Sequence, residues 1–432
     1  MLYFISSQEF DVLLEINFLG QWPTKGLTFC QGICRVEEKQ KRCSMIIKPM
    51  IRNNICMNAH PEGCRRNVLN QIEYVKKQKP FKGPKHVLLI GGSAGYGLAS
   101  RIALAFGAGA GTLSIAFEKP ASEKRTATAG WYNSEVFVEE AKKEGLIAEN
   151  IYGDAFSDEV KEEAIKRIKE LFGTVDLIVY SLASGVRTDP KTGIQYRSVL
   201  KPIGSTYRSK SVNPMTGEVL EADLAPAAPE EIEPTVKVMG GEDWELWIDA
   251  LSKAGVLAKG VITLAYSYIG PELTRAVYRD GTIGKAKEHL EATAKTLTQK
   301  LSSLGGQAFV SINKAVVTRA SAVIPVVPLY LAILFKVMKA KGIHEGCIEQ
   351  MYRLFAEKLY GSASIPVDEE GRIRMDDWEM REDVQEEVMR SWEQIDASNL
   401  EKLADLEQYR QDFLNIHGFG FSEIDYEKDV PV

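Results

Sequence analysis

Cysteine is scarce. Six in 432 residues, three of them (Cys30, Cys34 and Cys43) crowded into the first 44, make no disulfide framework. That usage fits a reducing compartment, and a cytoplasmic location is expected. A positive surplus is also missing: 53 Lys and Arg face 59 Asp and Glu, a net charge of −6, with the two signs interspersed. A general nucleic-acid binder needs a basic face to neutralise phosphates, so none is expected. Long apolar runs are absent too. The longest, residues 321–335, carries Pro325 and Pro328, lies between Arg319 and Lys336, and is short for a bilayer, so it reads as buried rather than membrane-spanning. The apolar N-terminus has no basic leader and is broken by Glu9, Asp11 and Glu15, which argues against a secretory signal. Cys56, His60 and Cys64 have metal-like spacing, but Pro61 and Gly63 keep them off one helix face, and no metal is expected. No internal repeat is found.

What is present is an ordinary globular composition, 45% apolar and 26% charged, in a chain long enough to bury a sizeable core. Residues 1–44 hold neither helical nor strand period for long. They are read as an N-terminal extension, either a poorly ordered tail or a segment upstream of a native start at Met45. Beyond Met45, predicted helices at 64–78, 97–106, 133–144 and 157–172 alternate with predicted strands at 86–91, 112–118, 147–152 and 175–181. Such βαβ alternation predicts an α/β fold, a doubly wound, Rossmann-like parallel sheet with helices on both faces. Residues 186–235 break into short strand-like pieces between turns and are read as a β-ribbon insertion, either placed to cover a ligand or a purely structural flap. Core elements resume as helix 241–254, strand 261–268, helix 283–300 and strand 307–313, and everything after 328 reads as helical. Residues 45–432 are thus expected to form one enlarged domain, with a dinucleotide-binding core at about 86–320 and a helical, substrate-side region at 321–432.

The first strand runs into Gly91-Gly92-Ser93-Ala94-Gly95-Tyr96-Gly97, a G-x-x-x-G-x-G turn opening a helix. Glycines let backbone N–H groups close on a pyrophosphate, and the helix N-terminus adds partial positive charge. Glu118 ends the second strand about 20 residues on, where an acid accepts hydrogen bonds from the adenosine ribose and repels a 2′-phosphate. NADH is therefore expected over NADPH. Asp154-Ala155 and Leu182-Ala183 follow the third and fourth strands and are placed to meet adenine and ribose, with loop capping as the alternative for Asp154.

Residues 263–294 pass from a β-branched, aromatic strand through a Gly-Pro turn to a helix, delivering Tyr278 and Lys287 to one place. In a nicotinamide-dependent reductase a phenol stabilises or protonates an oxyanion, while an ammonium fixes the nicotinamide ribose and makes the phenol more acidic. The plain alternative is a packed ring and a solvated charge.

The glycine turn and this pair resemble the short-chain dehydrogenase/reductase superfamily. Eight residues separate Tyr278 from Lys287 and six separate it from Lys285; the string Ala286-Lys287-Glu288-His289-Leu290-Glu291-Ala292 selects Lys287. Tyr268 precedes Tyr278 by ten, the separation of the two active-site tyrosines in bacterial enoyl-acyl carrier protein reductases. With IIKPMIRNNICMNAHPEGC, KVMGGEDWE and VTRASAVIPVVPLYLAILFKVMK, the chain from about 45 to 426 resembles the FabV-type enoyl reductases, the trans-2-enoyl-CoA reductases that use NADH. The resemblance implies that Gly91, Gly92, Ser93, Ala94, Gly95 and Tyr96 hold the pyrophosphate and Phe117-Glu118 the adenosine ribose. It assigns Asp154, Ala155, Leu182, Ala183, Val316, Val317 and Thr318 to further parts of the cofactor. It also implies that Tyr278 is the proton donor, Lys287 a catalytic and cofactor contact, and Tyr268 a substrate contact.

The expected protein is a monomer acting on enoyl-CoA or enoyl-acyl carrier protein, in fatty acid synthesis or short-chain acyl-CoA metabolism, with no nucleic-acid or membrane partner. Residues 322–335 are expected to line an acyl slot or to be a core helix, and Arg319, Lys336 and Lys339 to meet carrier phosphates. Two rivals stay open: a carbonyl or alcohol reductase using Ser267, and a non-catalytic NAD-binding sensor.

Overall fold

The computed structural model describes residues 44–52, 55–123, 125–319, 321–324 and 326–431, so the expected extension lies outside the described residues except for Ser44. Three two-residue strands, β1 (Ser44–Met45), β2 (Ile51–Arg52) and β3 (Ile55–Cys56), lead into α1 (Pro61–Lys77). His60 starts that helix, its Nδ1 accepting the Gly63 N–H at 3.3 Å, while Pro61 fills a first position where no N–H is needed.

Strands and helices then alternate as expected: β4 (His86–Ile90), α2 (Gly95–Ile102), β5 (Gly111–Ala116), α3 (Ala129–Lys143), β6 (Ala148–Tyr152), α4 (Asp158–Leu171) and β7 (Val175–Tyr180). Hairpins β8 (Val186–Thr188) with β9 (Gln195–Arg197) and β10 (Tyr207–Val212) with β11 (Val219–Leu224) form the ribbon insertion. The insertion ends in a helix the sequence reading missed, α5 (Pro229–Met239). Pro229 occupies the tolerated first turn, the Glu231 carboxylate accepts the Ala228 N–H at 2.8 Å to close the N-terminus, and Pro234 lies inside the helix.

The chain continues through α6 (Glu242–Lys253), β12 (Leu257–Ser267), α7 (Arg275–Tyr278), α8 (Thr282–Lys300), β13 (Gln307–Ile312), α9 (Val327–Ala340) and α10 (Cys347–Arg353). It finishes with β14 (Ile373–Arg374), α11 (Glu382–Gln394), α12 (Leu400–Leu403), α13 (Leu406–Ile416) and β15 (Val430–Pro431). The expectation of helix alone after 328 is corrected at both short strands. β14 extends the central sheet beside β13, and β15 pairs antiparallel with β1. Two residues are too few to show an alternating period.

The seven-stranded sheet has the order β14-β13-β12-β7-β4-β5-β6, and its pairings are parallel. Val87, Leu88, Leu89 and Ile90 of β4 are all fully buried, as a strand covered on both faces requires. Leu88 and Ile90 pack with Trp244, Trp247 and Leu297 on one face; Val87 and Leu89 pack with Val68, Leu98 and Ile102 on the other. The strand order reverses between β4 and β7, which places the ligand crevice at their carboxyl ends.

Residues 322–335 turn out to be mainly core. α9 is buried from Val327 to Phe335 and packs among Val384, Val388, Leu406, Tyr409 and Phe413 of the C-terminal helices. Among the described residues, no helix is long and apolar enough to cross a membrane.

Candidate active site

At the end of β4, Gly91 takes φ 93° and a Cβ there would collide with the Ser181 carbonyl. A Cβ on Gly97 would strike the Gly91 carbonyl, so the first turn of α2 can sit down on the strand end only with glycine at both places. α2 starts at Gly95, and Ala94 before it offers no side-chain cap. The first N–H groups of the helix are left without a side-chain acceptor, and that arrangement suits a pyrophosphate. Leu182 lies against the same turn, its Cδ2 3.1 Å from where a Gly91 Cβ would be, and Thr318 approaches from the other side, 3.7 Å from the corresponding point on Gly95. Val316 and Val317 are buried, while Ala183 is exposed.

Tyr96 differs from expectation in its side chain. Its hydroxyl donates to the Lys314 carbonyl and accepts from Gln350 Nε2 at 3.1 Å. Only its backbone belongs to the phosphate turn.

Glu118 is nearly buried, and Ser93 Oγ donates to its Oε1 at 2.7 Å. Arg319 Nη2 donates to that oxygen at 2.9 Å. Burial alone would push this carboxyl up; the Arg319 guanidinium, with hydrogen bonds from Thr128 and Ser93, more than offsets it and holds the group below the usual glutamate value. Arg319, expected at a carrier phosphate, is paired with Glu118. Lys336 and Lys339 are also engaged elsewhere, with the Glu401 carbonyl at 3.3 Å and with Asp405 at 2.9 Å. Phe117 stands half exposed beside the acid. Asp154 does what its plain alternative said, accepting the Phe156 N–H at 3.0 Å, while the Ala155 carbonyl accepts Trp247 Nε1 at 3.0 Å.

The two tyrosines come together. Tyr268 follows β12, Gly270 turns the chain at φ 74°, and α7 carries Tyr278 back so that the rings meet edge to face at 4.8 Å. The sequence placed Tyr278 between a strand and a helix; it lies on α7, a short helix in that connection. Its hydroxyl has no hydrogen-bond partner among the described residues. Burial, followed by the Glu379 carboxyl, pushes Tyr278 above the ordinary tyrosine value. The phenol is thus kept as a protonated donor in the cofactor-free chain, and the acidification expected from a neighbouring lysine is not what the surroundings produce.

On α8, Lys285 is exposed and bridged to Glu288 at 2.9 Å, whereas Lys287 forms no hydrogen bond or ion pair among the described residues. Burial pushes the Lys287 ammonium down to about 8, with Glu291 opposing. Lys287 is the available cation, as the sequence string selected.

Glu379 escaped the sequence reading. It is fully buried between β14 and α11, and its Oε1 is in hydrogen-bond contact with Tyr268 Oη at 3.0 Å and Tyr330 Oη at 2.5 Å. A cleft of about 380 Å³ opens along the same loop, lined by Gly270, Pro271, Arg275, Arg279, Met380 and Gln385. Tyr207 of the ribbon donates its hydroxyl to the Leu273 carbonyl, so the insertion does pack onto the segment that carries the tyrosines.

Three family profiles match the chain in succession. They are described as the NAD(P)H binding domain of trans-2-enoyl-CoA reductase, over residues 46–123, and the trans-2-enoyl-CoA reductase catalytic region, over 125–360. The third, an enoyl reductase FAD binding domain, covers 367–430. The chain is 60% identical over 393 residues to the trans-2-enoyl-CoA reductase [NADH] of Treponema denticola, covering 89% of this chain and 98% of that protein. It is 58% identical over 386 residues to the enoyl-[acyl-carrier-protein] reductase [NADH] of Flavobacterium johnsoniae, with the same coverage. The crystal structure of the Treponema denticola enzyme in complex with NAD superposes with a TM-score of 0.87 at 59% identity, over 90% of this chain and 98% of that one.

Proposed function

The chain belongs to the trans-2-enoyl-CoA reductase family, and from that premise we propose an NADH-dependent reductase that saturates the trans-2 double bond of enoyl thioesters. The observation that carries the site reading is the pair of facing phenols, Tyr268 and Tyr278, at 4.8 Å on the carboxyl-end side of a dinucleotide sheet. The carbonyl-reductase and sensor rivals lack the support that the matched relatives give this one.

The residues present fit the cofactor: a glycine turn no side chain can enter, an uncapped helix start and a nearly buried acid. In our reading the backbone of Gly91 to Tyr96 holds the pyrophosphate and Phe117-Glu118 the adenosine ribose. Asp154-Ala155, Leu182-Ala183, Val316-Val317-Thr318 and Lys287 complete the cradle. NADH, when bound, supplies the hydride that reduces the β-carbon of the substrate. Tyr278 donates its hydroxyl to the thioester oxygen, where negative charge develops, and Tyr268 holds the substrate beside it. Lys287 keeps a positive charge near that oxygen and near the cofactor ribose. Protonation at the α-carbon then gives the saturated acyl thioester.

The third family profile names a flavin, and the residues do not suit one. Within 367–430 the described residues form short strands and helices packed into the core, with no strand, glycine turn and helix in sequence of the kind found at 86–102. No step is routed through a second cofactor.

Cys56, Cys64 and Cys347 are free, in keeping with the cytoplasmic reading. Replacing Tyr278→Phe removes one donor from the developing oxyanion and should cut kcat by about 10²–10³-fold. NADH affinity, read by the change in nicotinamide fluorescence on binding, should stay within a few fold. Undiminished turnover would take Tyr278 out of the mechanism.

A further inference from the structure

We propose that Glu379 is a positioning residue for this reaction: it carries a proton on Oε1 and donates it to Tyr268, so that the Tyr268 hydroxyl is turned toward the substrate oxygen. The inference rests on the function proposed above.

A phenol has one proton to give. Were Glu379 ionised, Tyr268 and Tyr330 would both donate to Oε1, and Tyr268 would show the substrate only lone pairs. Such an oxygen repels a developing oxyanion. With the proton on Oε1, Glu379 donates to Tyr268 across the 3.0 Å contact, Tyr330 donates to Oε1 at 2.5 Å, and the Tyr268 proton is free for the ligand. The other carboxyl oxygen is fixed as an acceptor, because the Ala315 N–H donates to Oε2 at 2.7 Å. That amide decides which oxygen carries the proton: the one facing the tyrosines.

The surroundings hold this geometry in place. Gln385 Nε2 donates to the Glu379 carbonyl at 2.7 Å, and Glu379 is fully buried. The titratable groups around it come from six directions: Tyr268 after β12, Tyr278 on α7, Tyr330 on α9, Lys314 after β13, Asp376 after β14, and Tyr96 on α2. Burial pushes the carboxyl up; Lys314 opposes, but its ammonium is turned to the Ala315 carbonyl at 2.8 Å and to the Phe335 ring, with its centroid at 5.0 Å. The four phenols stay neutral, and Asp376, paired with Arg374, adds to the upward push. A buried carboxyl with a raised value holds its proton at low pH and loses it as pH rises, so the Tyr268 donor is present on the acid side and lost on the alkaline side.

Two measurements on the full chain test this. In the first, kcat at saturating NADH with crotonyl-CoA is followed against pH for the parent, Glu379→Gln and Glu379→Ala. The glutamine amide donates at every pH, so Glu379→Gln should restore most of the roughly hundredfold turnover lost in Glu379→Ala and move the alkaline fall to higher pH. A Glu379→Gln enzyme as slow as Glu379→Ala, or one whose profile overlies the parent's, overturns the proposal. In the second, infrared difference spectra of parent minus Glu379→Gln at neutral pH should show a protonated-carboxyl C=O band; an ionised-carboxylate band in its place also overturns it. The infrared result needs no turnover. If the parent reduces no enoyl thioester, the function reading fails while the spectrum still decides the state of Glu379.

Discussion

Lys285 and Lys287 stand two positions apart on α8, and their surroundings give them different chemistry. The exposed one is neutralised by Glu288; the other is short of partners and pushed down to about 8 by burial. In the cofactor-free enzyme the Lys287 cation is full below that value and lost as pH rises through it. kcat/KM for NADH, which reports the free enzyme, should therefore fall as pH passes about 8. Lys287→Arg should keep its charge and flatten that fall. Glu118 carries a second prediction. Its carboxylate repels a 2′-phosphate and occupies Arg319, so Glu118→Ala should free the guanidinium for that phosphate and narrow the preference for NADH over NADPH at least tenfold, read as the ratio of kcat/KM values. The sequence singles out Lys287 and Glu118 because local strings place them: one in AKEHLEA, the other at the end of a strand a fixed interval past the glycines. It does not single out Glu379. In Asp376-Asp377-Trp378-Glu379 it looks like one more solvated acid, and only the packing of α9 and of the segment after β13 buries it.

Elements with a long, unbroken signal were read correctly. β4, β5 and β7 are mainly apolar and buried because helices cover both faces, and α9 is apolar from Val327 to Phe335 because that stretch lies in the middle of a core. Leu331→Ala in α9 should cost about 2–5 kcal/mol in a denaturant titration while leaving NADH affinity unchanged in the folded fraction. Gly97→Ala should do the reverse. Its new methyl meets the Gly91 carbonyl and must displace the phosphate turn, so NADH binding is lost for roughly 1–3 kcal/mol of stability. The elements that were missed are those whose formation is decided elsewhere. α5 starts on Pro229 and carries Pro234 inside the helix, α7 is a single turn set by the Gly270 bend, and β14 is two residues recruited by an edge strand.

Across the whole molecule, the sheet order reverses between β4 and β7, and the glycine turn, Leu182 and Thr318 converge there. Beyond β12 the chain brings the two tyrosines together and sets them against Glu379 of the C-terminal region, while the earlier ribbon reaches the same segment through Tyr207. The cofactor half is what any dinucleotide fold supplies; in the proposed function it is the phenol pair that adapts the site to an enoyl thioester. The central claim is tested most directly by NADH oxidation with crotonyl-CoA set against acetoacetyl-CoA, in the parent chain and in Tyr278→Phe. The account predicts rapid oxidation with crotonyl-CoA, little with acetoacetyl-CoA, and a loss of about 10²–10³-fold in the variant. Faster oxidation with acetoacetyl-CoA, or none with crotonyl-CoA despite tight NADH binding, would contradict it.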